Sequence, residues 1–128
     1  MYLDYDEYVK MGGGLDASAF AQFERRAAYE INAQAAGQTG KRIARLDELP
    51  QAVKDCVFDL VQFLHNNNNF EKTLTTEIQV SGGVSEHYFY KVPDDNQIKS
   101  ETDDIIYNTF YGGGIGNLLY RGLLPDDV

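Results

Sequence analysis

The stretch "LPQAVKDCVFDLVQFL", residues 49–64, contains the most regular apolar pattern of the chain. Its apolar side chains recur every three or four residues, the spacing that places them on one face of an α-helix. Pro50 suits the first turn of that helix, because an amide hydrogen there would have no partner within the helix. The stretch therefore predicts a central core helix with one packing stripe: Leu49, Val53, Cys56, Val57, Leu60, Val61 and Leu64.

The same stretch makes predictions about a cysteine and about the end of the helix. Cys56 lies inside the apolar stripe, so it is predicted to be a buried packing residue and not a nucleophile. The sequence "HNNNNF", residues 65–70, follows directly. Asparagine competes for backbone hydrogen bonds and tolerates left-handed conformations, so this run is predicted to end the helix.

Two further helices are predicted upstream. Asp4 can accept amide hydrogens of a first helical turn, and the glycines at 12–14 would end this short helix. Asp16 can cap a second helix that runs to about Ala36 and stops at Gly37. Charged residues 24–26 and 30 fall largely outside its apolar stripe and are predicted to be solvated or to lie at an interface. That stripe consists of Phe20, Phe23, Ala27, Ile31 and Ala35.

From residue 73 to residue 90 the apolar period changes from helical spacing to two. Leu74, Thr76, Ile78 and Val80 alternate with polar residues, residues 81–83 offer a glycine-rich turn, and an aromatic segment follows. This pattern predicts a β-hairpin or a long extended excursion. Two strands alone are marginal in water, so we expect the excursion to lie on the helices or on a neighbouring subunit.

A last helix is predicted from Ser100, which forms a capping-box pattern with Asp103, to about Gly112. The predicted fold class is therefore mainly α: a small helical bundle of about four helices, with a long extended or β-hairpin excursion between the last two helices. We expect residues 1–128 to form one domain with a flexible C-terminal docking tail over residues 112–128.

The glycine run "YGGGIG", residues 111–116, does not match the pattern of a phosphate-binding loop. A Walker loop needs Lys followed by Ser or Thr after its last glycine, and the dinucleotide fingerprint needs a preceding strand. Here the glycines follow a predicted helix and lead to Asn117. The run is therefore predicted to be a helix stop and a flexible joint.

The segment "LLYRGLLP", residues 118–125, is apolar and aromatic at the end of an acidic chain. Terminal segments are usually polar and loose, so an apolar one is expected to dock on something. Leu118, Leu119 and Tyr120 can fold back onto the chain's own helices. Alternatively, they can insert against a partner, where tyrosine and arginine are favoured anchors.

Composition restricts the classes of function. A net charge of −9 disfavours direct binding of nucleic acid or anionic lipid. The acidity indicates either a solvated surface or a channel wall along which DNA moves without binding.

The sequence also indicates the compartment in which the protein is made. No apolar run is long enough to span a membrane, and no secretory signal is recognisable. Cys56 is the only cysteine, so it cannot form an intrachain disulfide. We therefore expect a protein made in a cytoplasm.

No constellation of residues points to chemistry. His65 and His87 lie in different segments without metal-pair spacing, and Ser81 lacks the glycine pattern of a nucleophile elbow. The carboxylate pairs at 103–104 and 126–127 are each adjacent in sequence, which points the first pair apart on a helix and leaves the second pair solvated in the tail. The sequence therefore predicts no catalytic residues, no cofactor and no metal site.

Five stretches, in this order and spacing, carry a family resemblance: "YLDYDEYVKMGG", "LDASAFAQFERRA", the core-helix stretch quoted above, "EIQVSGGVSEHYFY" and "LLYRG". Together they resemble the small head-tail connector, or adaptor, proteins of tailed bacteriophages and prophages, especially those of low-GC Gram-positive hosts. The resemblance covers most of the chain. It departs from the family pattern in the three glycines before "LLYRG" and in Gly82-Gly83, where an Asp-Gly turn is expected.

The resemblance implies a mostly helical virion subunit, present in the host cytoplasm during assembly. It implies a ring of about twelve copies beneath the portal protein, which extends the DNA channel and offers a platform to the tail or to a completion (stopper) protein. DNA would pass through without specific binding, and no membrane is involved. The implied portal- or tail-docking residues are Leu118, Leu119, Tyr120 and Arg121. Subunit contacts are implied within residues 78–90, with Ile78, Val80, Tyr88 and Tyr90 as candidates.

Two rival classes of function stay open. A monomeric helical interaction module of a prophage or bacterium would keep the same core and hold its tail against itself. A small enzyme or regulator would reveal itself by a bound metal or nucleotide.

Overall fold

A computed structural model describes the backbone of residues 1–81 and 95–127, and the side chains of residues 1–67, 96–125 and 127. These residues form five α-helices: α1 (Tyr5–Lys10), α2 (Ala17–Asn32), α3 (Gln38–Ala44), α4 (Gln51–Ser81) and α5 (Asp95–Gly112). Three short 3₁₀ turns complete them at Gln34–Gly37, Gly116–Leu119 and Pro125–Asp127. The described residues contain no strand, so the prediction of a mainly α fold is confirmed.

Both predicted N-terminal caps are present. The carboxylate of Asp4 accepts a hydrogen bond from the Glu7 amide at 2.7 Å, and that of Asp16 accepts one from the Ala19 amide at 2.8 Å. Each satisfies an amide that has no partner within its own helix. The predicted start of α1 and of α2 is therefore confirmed, whereas α2 ends at Asn32 and not near Ala36.

The early end of α2 comes from a reversal of the backbone. Ala35 and Ala36 have φ of 53° and 55°, and Gly37 follows with φ of 88°. A left-handed conformation costs an L-residue with a Cβ about 1–2 kcal/mol, so the two alanines hold it only because the surrounding fold requires the turn. This reversal starts α3, a helix that the sequence pattern did not predict because two of its three buried residues, Thr39 and Arg42, are polar.

The core is built around α4. Val53, Cys56, Val57, Leu60 and Val61 are fully buried, as the apolar stripe predicted. α4 packs against both α5 and α2. Burial raises the pKa of the Cys56 thiol to about 12, with smaller contributions from nearby carboxylates, so the prediction of an unreactive packing cysteine is confirmed.

α4 extends further than the sequence predicted. The predicted stop at residues 65–70 is wrong, because α4 continues to Ser81. Asn67 bonds back to the helix, donating from Nδ2 to the Phe63 carbonyl at 2.8 Å. α4 also includes the backbone of residues 73–80, which the sequence pattern predicts as the first strand of a hairpin. Ile78 and Val80 belong to this part of the helix. Tyr88 and Tyr90 lie outside the described residues, so the excursion as a whole and its subunit contacts stay predictions.

α5 begins five residues earlier than predicted. It starts at Asp95, and Thr102 donates from Oγ1 to the Ile98 carbonyl at 2.7 Å, so Ser100 lies inside a turn already formed. The prediction of a capping box at Ser100 is therefore wrong. The predicted end at Gly112 is confirmed. Over the described ranges, no helix has both the length and the apolar character needed to cross a bilayer.

Candidate functional site

A buried arginine on α3 holds the segment that follows α5. All five N–H groups of the Arg42 guanidinium donate hydrogen bonds. Nη1 donates to the carbonyls of Leu118 (3.2 Å) and Tyr120 (2.6 Å), and Nη2 donates to the Gly122 carbonyl (2.8 Å). The remaining N–H groups, one on Nε and one on Nη2, reach the carboxylate of Asp127. One side chain thus fixes the tail at four of its residues.

Asp127 completes this Arg42 clamp, so the prediction that its carboxylate is solvated in the tail is wrong. Its carboxylate lies 2.7 Å from Arg42 Nη2, with both side chains buried, and it also accepts from Arg45 and from the Leu124 amide. The hydrogen bonds from Arg42, followed by the one from Leu124, hold the pKa of the Asp127 carboxyl well below its usual range. Asp127 is therefore charged, and among the described residues every buried polar side-chain atom of the clamp has a partner.

Leu118 lies inside the chain's own core. Its side chain is 6 % exposed, and its carbonyl accepts from Thr39 Oγ1 at 2.8 Å in addition to Arg42. Of the two alternatives for this segment, the structure shows the one in which Leu118 folds back onto the chain's own helices. A side chain in this position is not accessible to a partner.

The glycine run permits close packing beside this segment. A Cβ on Gly113 would lie 2.3 Å from the Ala52 Cβ, and one on Gly116 would lie 2.4 Å from the Tyr111 ring. Gly114 adopts φ of 78°, which turns the chain out of α5. The predicted helix stop is therefore confirmed, and two of its glycines also let the backbone approach α4 and the Tyr111 ring.

A groove of about 820 Å³ lies between α5, the α2–α3 link and the segment held by the clamp. Its aromatic lining consists of Tyr107, Tyr111 and Tyr120, whose side chains are 56 %, 52 % and 54 % exposed. The rings of Tyr107 and Tyr111 lie 4.4 Å apart between centroids. Small alanines of the α2–α3 link line the opposite side. We call this feature the tyrosine groove.

Charged side chains along the tyrosine groove are linked by ion pairs and a hydrogen bond. Lys99 Nζ lies 2.9 Å from a Glu30 carboxylate oxygen and 3.0 Å from one of Asp103, which also accepts from Gln34 Nε2 at 3.0 Å. These contacts tie α5 to the end of α2. Asp104 also lines the groove but forms no ion pair with any described residue. The groove therefore carries one exposed carboxylate, that of Asp104, and one exposed guanidinium, that of Arg121, and neither forms an ion pair with a described residue.

The groove contains three of the four predicted docking residues. Tyr120 and Arg121 are exposed and Leu119 is half-buried, and all three line the groove, whereas Leu118 lies beneath it. Tyr107 and Tyr111 are not among the predicted docking residues. Their four-residue spacing, on a different face of α5 from the buried Ile106 and Phe110, is the signal that could have identified them.

The groove has the composition of a protein-binding surface. Tyrosine and arginine are enriched where proteins contact one another, because a tyrosine ring buries much apolar area and keeps a polar tip. Among the described residues, no group of three His, Cys, Asp or Glu side chains could hold a metal ion.

Comparison with known proteins finds no match. No family model matches the chain, no curated protein is similar to it, and no solved structure shares its fold at a significant level.

Proposed function

We propose that this chain is a structural subunit of the connector between the capsid and the tail of a bacteriophage. In this role it forms a ring beneath the portal, extends the DNA channel, and offers a platform to the tail or to a stopper protein. The proposal combines the resemblance of the sequence to head-tail connectors with the tyrosine groove. Such a subunit acts by binding other proteins and carries out no chemistry.

The single observation that carries the proposal is the exposure of the three tyrosines in the tyrosine groove. Three large aromatic side chains, each about half exposed within one concave surface, are costly to leave in water and are typical of interfaces. Tyr120 and Arg121 lie in the "LLYRG" stretch that carries part of the resemblance. The proposed docking surface therefore includes a stretch of the sequence that resembles the family.

The charge of the chain suits a DNA channel. With a net charge of −9, a ring of such subunits repels the phosphate backbone. DNA that moves through a channel must not bind its wall, and an acidic lining meets that requirement. The proposed ring thus needs no specific contact with DNA.

A second candidate function is favoured by the Arg42 clamp. A monomeric helical interaction module would hold its tail against its own helices, as Leu118 and Asp127 do here. In this alternative the tyrosine groove binds a single partner, and no ring forms. The two candidates differ in the number of copies that assemble.

A gene deletion in the phage or prophage that encodes the chain tests the proposed function. We expect deletion to yield DNA-filled or leaking heads and free tails, and expression of the wild-type chain from a plasmid to restore joined virions. Electron microscopy with a labelled antibody should place the chain at the head-tail junction. Joined, infectious virions from the deletion strain would contradict the proposal, and a label found only in the cytoplasm would favour the monomeric module.

A further inference from the structure

We infer that the tyrosine groove of one copy receives a patch on α2 of the next copy, so that the two surfaces form the repeating contact of the ring. The patch consists of Met1, Arg25 and Tyr29, and we call it the α2 patch. The inference rests on the proposed ring and names the occupant of its groove.

The α2 patch presents apolar side chains to solvent. Met1 is 81 % exposed and Tyr29 is 69 % exposed, more than any other large apolar side chain that the structure describes. They border a depression of about 400 Å³ whose wall contains the small residues Ala21 and Ala28. Methionine, tyrosine and arginine are residues that interfaces favour over the rest of the surface.

The α2 patch lies away from the side of α2 that faces α5, whereas the groove is lined by α5, by the α2–α3 link and by the segment held by the clamp. Glu30 faces α5, because its carboxylate pairs with Lys99. At about 100° per residue, Arg25 lies about 140° around the helix from Glu30. The two depressions also share no lining residue. A copy can therefore use both surfaces at the same time.

Two different surfaces are what a ring requires. A two-fold dimer needs one patch that pairs with itself, whereas a closed ring of more copies repeats a contact between two unlike patches. The chain offers two separate surfaces, each with exposed aromatic side chains. This arrangement fits a head-to-tail contact.

Charge complementarity selects a second copy as the occupant. Copies with a net charge of −9 repel one another, so a contact between them must place opposite charges face to face. Among the described residues, Arg25 on the α2 patch and both Asp104 and Arg121 in the groove form no ion pair within the chain. A contact between two copies that places Arg25 beside Asp104 and away from Arg121 therefore pairs opposite charges.

Reversal of these charges tests the contact. Arg25→Glu and Asp104→Arg should each weaken ring formation by an order of magnitude or more, measured by mass photometry or by sedimentation over a range of protein concentrations, with the portal ring added if assembly needs it. Each single variant places like charges at every interface. The two variants mixed in equal amounts should restore the ring. In the mixture the introduced glutamate of one variant faces the introduced arginine of the other, and the unchanged Arg25 faces the unchanged Asp104.

Matched controls separate this contact from a general effect of charge. Arg26→Glu and Glu101→Arg make the same charge changes at exposed neighbouring positions that line neither depression. Both controls should assemble like the wild type. Circular dichroism of all four variants should show unchanged helicity, because none of the altered side chains lies in the core.

The outcomes distinguish failure of this inference from failure of the proposed function. If the wild type forms rings and both reversed variants assemble equally well, the ring stands and the inferred contact is overturned. If the single variants fail and their mixture fails too, the charges do not face each other, and the inference is also overturned. If the wild type forms no ring, alone or on the portal, the proposed function itself fails.

Discussion

The guanidinium of Arg42 and the carboxylate of Asp127 form a buried ion pair, with Nη2 and Oδ2 2.7 Å apart and side-chain exposures of 3 % and 0 %. Asp127 lies 85 residues after Arg42, so this contact joins the last described turn to α3. Arg42 also fixes the backbone of Tyr120, which lines the tyrosine groove. The shape of the groove therefore depends on a side chain that does not line it.

Arg42→Met should destabilise the tail strongly. It removes every guanidinium donor to the Leu118, Tyr120 and Gly122 carbonyls and leaves a buried carboxylate without its main partner. We expect a decrease of several degrees in Tm and faster amide exchange in the residues around Tyr120. Lys41→Met, a change of an exposed neighbour, is the control and should leave both unchanged. Equal behaviour of the two variants would show that the clamp does not hold the tail.

Asp127 should make stability depend on pH in acid. Its pKa is lowered in the folded state, so its stabilisation is present above the ordinary carboxyl pKa of about 4 and is lost as the pH falls below that value. Asp127→Asn should therefore be less stable than the wild type at pH 7, and the difference should narrow as the pH falls below about 4. Urea unfolding at several pH values measures it, and a difference that does not change with pH would contradict the assigned cause.

Cys56 should be unreactive in the folded chain. Burial raises its thiol pKa to about 12, and its side chain is inaccessible. At about pH 8 only about one thiol in ten thousand would be ionised, so labelling by a soluble disulfide reagent should follow unfolding and not direct attack. Labelling of the native protein within seconds would contradict the placement of Cys56 in the core.

The glycine run allows a matched pair of substitutions. Gly116→Ala places a methyl group 2.4 Å from the Tyr111 ring and should destabilise the fold by about 1–3 kcal/mol while displacing that ring. Gly112→Ala meets no atom within 4 Å and lies at the end of α5, so it should be neutral or stabilising by up to about 1 kcal/mol. Chemical denaturation measures both, and equal effects would argue against the close approach of Gly116 to Tyr111.

The sequence predicted the parts of the fold that depend on local pattern. The apolar stripe of α4 and the caps at Asp4 and Asp16 were correct because helical spacing and side-chain capping act within a few residues. The asparagine run does not end α4 as predicted. The weak preference of asparagine for non-helical conformations is overridden in a helix that is already formed and packed. α5 likewise starts five residues before the predicted cap at Ser100.

The rest depends on contacts between distant residues. α3 has no apolar stripe, since its burial comes from Thr39 and Arg42 meeting the tail about 80 residues later. The contacts beside the tyrosine groove likewise join distant residues. Lys99 of α5 pairs with Glu30 of α2, and Gln34 of the α2–α3 link donates to Asp103 of α5. The sequence predicted Tyr120 and Arg121 as docking residues, but only the fold brings them into one groove with the two tyrosines of α5.

The central claim is that this chain assembles into a ring on a portal. Mass photometry of the full chain, alone and mixed with the portal ring encoded by the same genome, tests it most directly. We predict a species larger than the portal ring by the mass of about twelve copies, whether or not the chain forms rings alone. A strict monomer at every concentration that leaves the portal ring unchanged would contradict the account.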